Sequence, residues 1–315
     1  MSGFQPEDRG SIPLWRIKKL NKMSENTKNW YDNWYKLLLI PPAVLLLFSL
    51  LYLVDFNSKN GDLIYKDVSL TGGTTITVFE KNINLELLKE SLKVSFPDLN
   101  ARGISDIRTG EDQAFYIETA SIVEEIKPVL EEYLGYELTK ENSSIEFSGA
   151  SLSAGFYKQL RFAIFLAFLF MSIVVFIIFK TPIPSLAVII SAFADIVFTI
   201  VTINLLGINL SAAGIIALLM LIGYSVDTDI LLTTKVLRQK EATINNRLKS
   251  AFRTGMMMSL TSIAAVTIAL IIIYSFSETL KQIFSILLIG LCFDLFNTWF
   301  TNASIIKWYA EAKKI

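Results

Sequence analysis

Apolar residues along this chain fall mostly in long unbroken runs. Six of these runs, at about 37–54, 162–179, 183–206, 209–234, 255–276 and 283–306, are long enough to cross a hydrocarbon core of about 30 Å. Trp30, Tyr31, Trp34 and Tyr35 precede the first run, as an aromatic belt at a membrane surface would. That run is too long for a typical signal-peptide core and has no small-residue cleavage site before Asp55, so it reads as a retained helix. Between the first two runs, residues 55–158 change to a charged, turn-containing pattern that predicts a separate domain. Residues 73–80 alternate and are β-branched, which predicts a strand. Asn84 caps an amphipathic helix over 85–92, and strand-like runs follow at 102–108 and 114–118. Ser121 and Glu124 form a capping box before a helix over 122–134, and 144–148 suits a last strand. The order β-α-β-β-α-β is the ferredoxin-like arrangement. The expected fold is thus a polytopic α-helical membrane protein of six transmembrane helices, with an extracytoplasmic α+β domain between helices one and two.

Composition agrees: 52% of residues are hydrophobic and only 18% charged. The formal charge is zero, but the charges are segregated. Residues 1–36 carry Arg9, Arg16, Lys18, Lys19, Lys22, Lys28 and Lys36 against Glu7, Asp8, Glu25 and Asp32. The 235–253 loop carries Lys235, Arg238, Lys240, Arg247, Lys249 and Arg253 against Glu241, and the 307–315 tail carries Lys307, Lys313 and Lys314. By the positive-inside rule all three are cytoplasmic, which one six-span topology satisfies, with both termini inside the cell membrane. This segregation carries topology and gives no sign of nucleic-acid binding. The single cysteine, Cys292, reads as a packing residue, so neither a disulfide framework nor a thiol metal site is expected. With no histidine in the chain, proton chemistry must run on carboxylates. No phosphate loop, hydrolytic constellation or cofactor motif supports an enzyme.

Those carboxylates lie inside the apolar runs. Asp227 is roughly 12 Å before Lys235 at 1.5 Å per residue, near the middle of the bilayer if Lys235 marks the interface. Asp195 is roughly 18 Å into span three, and Asp294 lies midway between Lys281 and Lys307. A lone intramembrane acid can be a hydrogen-bonded structural group, which suits Asp294 beside Asn297 and Thr298; several at one depth suggest a proton or cation path. Asp227 and Asp229 point about 200° apart on a regular helix, so one can serve the bundle and the other a partner or Arg253, whose long side chain could reach Asp229. Opposed surroundings would let the two acids differ in charge as helices move. Arg253 reads equally as a plain interfacial anchor. Ser225 and Thr228 add hydroxyls at the same level, and Ser211, Ala212, Ala213, Gly214, Gly223 and Ser225 give span four the small side chains of a closely packed helix.

The run Gly223-Tyr224-Ser225-Val226-Asp227-Thr228-Asp229 resembles the span-four signature of the SecF chains of the SecD/SecF protein-export complex, within the resistance-nodulation-division superfamily. Ser69-Leu70-Thr71-Gly72-Gly73-Thr74 is similar to the Gly-Gly motif that begins the family's outer domain, Ala194-Asp195 falls where members carry an Asp, and Arg253-Thr254 followed by Ser259-Leu260-Thr261 resembles the start of the fifth span. Bacterial members read Gly-Tyr-Ser-x-Asn-Asp-Thr, with the acid between the positions of Asp227 and Asp229, and the departures resemble the archaeal branch. The resemblance implies an accessory subunit of the Sec translocase. Its partners would be a SecD-like chain, translocon channel subunits, the translocating polypeptide and membrane lipid. It would promote export on the proton or sodium gradient through Asp227 or Asp229 with Asp195 and Arg253. Two other functions fit the residues: a non-transporting assembly factor whose acids fix helix packing, and a half-transporter exporting lipids or small hydrophobic molecules.

Overall fold

Proline at the first turns, glycine past the last ones and long apolar stretches between them set the helix boundaries seen in the computed structural model, which describes residues 34–80, 83–105, 112–238, 243–274 and 277–313. The basic stretch 1–33 with Trp30 and Tyr31, residues 106–108 of the expected second strand, Lys240 and Glu241 of the basic loop, and Lys314 of the tail lie outside the described residues. After a 3-10 turn at Leu37–Leu39, α1 (Ile40–Asn60) starts on Pro41 and Pro42 and ends at left-handed Gly61. A single turn, α2 (Val68–Thr71), leads into β1 (Gly73–Val78), α3 (Leu85–Lys93), β2 (Asn100–Ser105), β3 (Asp112–Thr119), α4 (Val123–Leu134) and β4 (Ser143–Ser148). The remaining helices are α5 (Ala150–Phe179), α6 (Pro182–Leu205), α7 (Ala212–Arg238), α8 (Ile244–Ile273), α9 (Glu278–Asn297) and α10 (Ala303–Lys313), with a π-helical segment at Thr298–Asn302 joining the last two. Among the described residues six helices, the last running through the π segment, are long and apolar enough to cross a membrane.

The four strands pair antiparallel in the order β2-β3-β1-β4, the ferredoxin-like topology that the element order predicts. Alternation puts Ile76, Val78, Ala101, Phe115 and Ile117 on one face, where Leu88 and Leu92 of α3 and Ile126 and Leu130 of α4 cover them. Leu88 is fully buried between α3 and the sheet. Leu88→Ala should cost the domain about 2–5 kcal/mol, read as lost amide-exchange protection in β1 and β3 while the membrane helices keep theirs. The expected capping box at Ser121 does not form. Ile122 is the N-cap residue, without a side-chain bond, and the Ser121 carbonyl instead accepts from Thr74 Oγ1 at 2.7 Å. The Asp98 carboxylate accepts from Thr119 Oγ1, which pins the end of β3 before Ser121 can reach the helix.

The domain is tied to one end of the bundle through backbone. Leu210 N donates to Tyr65 O at 2.7 Å, Asp67 N donates to Leu210 O at 3.0 Å, and Asn204 Nδ2 donates to Leu63 O at 2.8 Å. Tyr157 of α5 donates to Asp62 at 2.7 Å, and Ile64, Leu70, Leu210 and Leu221 share one apolar cluster. Within the bundle α6 and α7 lie inside, with 67% and 56% of their apolar stretches buried, whereas α5 and α8 bury only 6% and present their flanks to the surroundings. Helix α9 completes the inner group by close approach: a Cβ at Gly290 would meet Leu221 of α7 at 2.4 Å. The small residues of α7 divide accordingly. Gly214 and Ser225 face inward, while Gly223 is exposed and has nothing within 4 Å of its Cβ position. Cys292, expected as a packing residue, is likewise exposed on α9 rather than buried within this chain.

Candidate functional site

Residues four apart on a helix share a face, and on α6 that rule aligns Ser191 with Asp195, on α7 Ser225 with Asp229 and Thr233. All five are buried. The two helices run in opposite senses, so the residues meet in two tiers. In the tier nearer the sheet domain, Ser225 Oγ donates to Asp195 Oδ2 and Asn297 Nδ2 donates to Asp195 Oδ1, both at 2.6 Å. Thr301 Oγ1 in turn donates to Asn297 Oδ1 at 3.3 Å, fixing which amide atom faces the acid. In the tier further from it, Thr298 Oγ1 lies 2.9 Å from Asp229 Oδ1 and 3.4 Å from Asp294 Oδ1. A hydroxyl has one proton to give, so Thr298 serves one of these two acids at a time.

The π-helical segment Thr298–Asn302 makes this possible. Its extra residue per turn rotates the polar side chains relative to the α-helix before it, so that Asn297, Thr298, Thr301 and Asn302 all turn inward from one helix; such bulges recur at functional sites. Close packing stabilises the distortion, since Trp299 lies against Gly255 of α8, where a Cβ would stand 2.6 Å from its ring. Among the described residues, no ion pair neutralises Asp195, Asp229 or Asp294, although they are 0%, 0% and 1% exposed. Ionised carboxylates so placed are costly unless a proton or a cation joins them.

The two acids of the span-four motif separate as their spacing requires. Asp229 is fully buried in the inner cluster, whereas Asp227 is exposed on the opposite face. Thr228 is buried on a third side, against Gly255 of α8. Arg253 does not reach Asp229. It is exposed on the outward side of α8, one turn from Lys249, beside Met257 and Leu260. Asp294 joins Asp195 and Asp229 rather than standing apart with its own helix. Ser191, Thr233 and Asn302 were not singled out by the sequence pattern, though Ser191 precedes Asp195 by one helical turn and Asn302 ends a polar run, Asn297-Thr298-x-x-Thr301-Asn302, within an apolar span. Gly72 and Gly73 lie far from this cluster in the chain's architecture, at the junction of α2 with β1.

Residues 129–312, which hold every member of the cluster, match the family described as "Protein export membrane protein SecD/SecF, C-terminal". The chain is 39% identical over 293 residues to the protein-export membrane protein SecF of Methanocaldococcus jannaschii, covering 89% of this chain and 99% of that one. It is 37% identical over 285 residues to the SecF of Methanothermobacter thermautotrophicus, covering 89% and 94%. Against the SecF of Pyrococcus furiosus the identity is 32% over 295 residues, covering 93% and 97%. Among solved structures, the fold is similar to the crystal structure of SecDF, a translocon-associated membrane protein from Thermus thermophilus. The TM-score is 0.67 at 16% identity, over 94% of this chain and 42% of that one. Similarity to these relatives over nearly their whole length, with a family match across the intramembrane cluster, leaves one assignment: the chain belongs to the SecF family of protein-export membrane proteins.

Proposed function

We propose that this chain pairs with a SecD-like subunit beside the Sec translocon and promotes protein export across the cytoplasmic membrane by drawing on an ion gradient. The observation that carries the reading is the buried set of Asp195, Asp229 and Asp294 on three helices, with no cationic side chain paired to any of them among the described residues. Movement of a proton or cation changes the charge of such a set, and the helices carrying it respond because Thr298 and Asn297 must reorient with each change. The bundle end toward which that response would travel is hydrogen-bonded to the sheet domain through Leu210 and Asn204, which gives a route from ion site to the domain that meets the emerging polypeptide.

A partner is supported by the match to only 42% of the SecDF structure and by the exposed flank that carries Asp227. A charged side chain facing hydrocarbon is expensive, so Asp227 is assigned to the partner face, and Arg253 to the partner or lipid headgroups at the cytoplasmic interface. In this topology both termini and the 235–253 loop are cytoplasmic and the sheet domain lies outside. The test is gentle purification of the tagged chain from its native membranes and identification of stoichiometric partners. A SecD-like chain is the expected companion; self-assembly without one would overturn the reading and favour an independent transporter.

A further inference from the structure

Three asparagines in this chain head the tripeptide Asn-x-Ser/Thr, the acceptor sequence for N-linked glycans: Asn142-Ser143-Ser144, Asn209-Leu210-Ser211 and Asn302-Ala303-Ser304. The fold separates them. Asn302 is fully buried in the π-helical segment between the inner helices. Asn209 is exposed, but its loop between α6 and α7 is clamped to α9: Gln282 Nε2 donates to Asn209 O at 2.5 Å, and the Ser211 hydroxyl donates to Gln282 Oε1. The hydroxyl that completes this tripeptide is therefore already committed, against the end of the bundle. Asn142 is placed differently. It ends the turn into β4, about twenty residues ahead of the apolar run that starts near 162, and the α5 turns before that run rise about 18 Å. Strand β4 is an edge of the sheet, paired with β1. Asn142 Oδ1 accepts from Thr139 N at 2.7 Å, and its Nδ2 donates to Glu137 O at 2.9 Å. A primary amide has two N–H groups, so one can be substituted with both of these bonds kept. Ser143 turns inward, its hydroxyl donating to Thr139 O at 2.7 Å, and Ser144 is exposed.

We propose that Asn142 Nδ2 is a glycosylation site, carrying an N-linked oligosaccharide on the outer side of the membrane. This rests on the topology given above, in which the sheet domain lies outside, and not on the coupling role of the buried acids. The donor is an oligosaccharide joined through phosphate to a polyprenyl lipid, presented by a membrane-bound transferase. A bond forms between Nδ2 and C1 of the first sugar, and the bond from C1 to the phosphate oxygen breaks. The lipid phosphate leaves with that electron pair, and the amide gives up one proton. Ser144 supplies the hydroxyl that completes the acceptor sequence, at a residue whose backbone is held in register opposite Thr77. The position gives the sugar a physical use. A sheet edge invites pairing with another chain, Phe147 on this one is 55% exposed, and a hydrated glycan at the start of β4 shields both.

The experiment is mass spectrometry of the full chain purified from its native membranes, whole and after digestion. The expected result is a glycan mass on the peptide spanning 141–158, localised to Asn142, with Asn209 and Asn302 bare. Ser144→Ala should remove that mass, and Ser144→Thr should keep it. Because Ser144→Ala leaves the hydrogen bonds of Asn142 in place, it separates loss of the acceptor sequence from loss of the turn, which Asn142→Gln would confuse. A bare Asn142 in the unaltered chain overturns the proposal, as does a glycan that survives Ser144→Ala. A second measurement tells that failure from failure of the topology. Glu141 is exposed beside the site, so Glu141→Cys in a Cys292→Ala background reports, by labelling of intact cells with a membrane-impermeant maleimide, which side the domain faces. Labelling with a bare Asn142 overturns the glycan alone; no labelling overturns the outward placement of the domain and the glycan with it.

Discussion

Asp229→Asn should reduce export to the level seen without an ion gradient, while the altered chain still assembles with its membrane companions. The substitution keeps the shape of the side chain, and its carbonyl oxygen can still accept the Thr298 hydroxyl now 2.9 Å from Oδ1. Packing around α7 and the π segment therefore survives. What disappears is the ability to change charge, in a position that is 0% exposed and has no paired cation among the described residues. Asp227→Asn supplies the internal control. It alters the same helix two residues away but on the exposed face, and should weaken association with the partner before it touches the gradient response. Export into sealed vesicles, with and without an imposed gradient, measures the first property, and co-purification measures the second. A full gradient response in Asp229→Asn, or its loss in Asp227→Asn with the complex intact, would remove Asp229 from the coupling role.

The sequence allowed the carboxylates to be placed in depth but not in azimuth. Helix rise alone puts Asp195, Asp227 and Asp294 near one level, with Asp229 two residues closer to the interface, because span boundaries are marked by charged residues and the rise per residue is fixed. The side on which each acid lies is a different matter. In a soluble helix the polar face identifies the outside, but in a bilayer both faces of α7 are apolar, Ile216 and Met220 outside against Leu218 and Leu221 inside. The 200° separation showed that Asp227 and Asp229 must part, and only packing against Gly290 and Ser191 decides which goes in. The same limit explains Arg253. Its distance from Asp229 along the axis permits a pair, but α8 turns that residue outward. The π segment left only a polar run as a trace, since an inserted residue per turn changes facing without changing composition. In the sheet domain, where alternation does report facing, strand order and the helical cover were legible, and the Ser121 cap failed only because Asp98, distant in sequence, holds the adjoining strand end.

Gly73→Ala should be among the most damaging single substitutions outside the bilayer, with Gly72→Ala close to it. Each destabilises the sheet domain by about 2–4 kcal/mol. Two costs add at these positions. Both residues have positive φ, +88° at Gly72 and +141° at Gly73, which side chains with a Cβ rarely adopt. In addition, a Cβ at Gly73 would lie 2.3 Å from Thr119 O, and one at Gly72 would lie 2.5 Å from Ala150 Cα. Neither neighbour can yield easily. Thr119 is paired with Thr74 across the sheet and bonded to Asp98, and Ala150 opens the thirty-residue helix α5. The pair thus lies where strand, preceding turn and second membrane helix converge, and displacement there separates the domain from the bundle that orients it. Gly135→Ala isolates the first cost, because its φ is +77° but nothing lies within 4 Å of its Cβ position. It should cost only about 1 kcal/mol. Urea unfolding monitored by amide exchange in β1 and β3 ranks the three variants. If Gly73→Ala proves no worse than Gly135→Ala, the close approach to Thr119 is not what requires glycine there, and backbone conformation alone accounts for the motif.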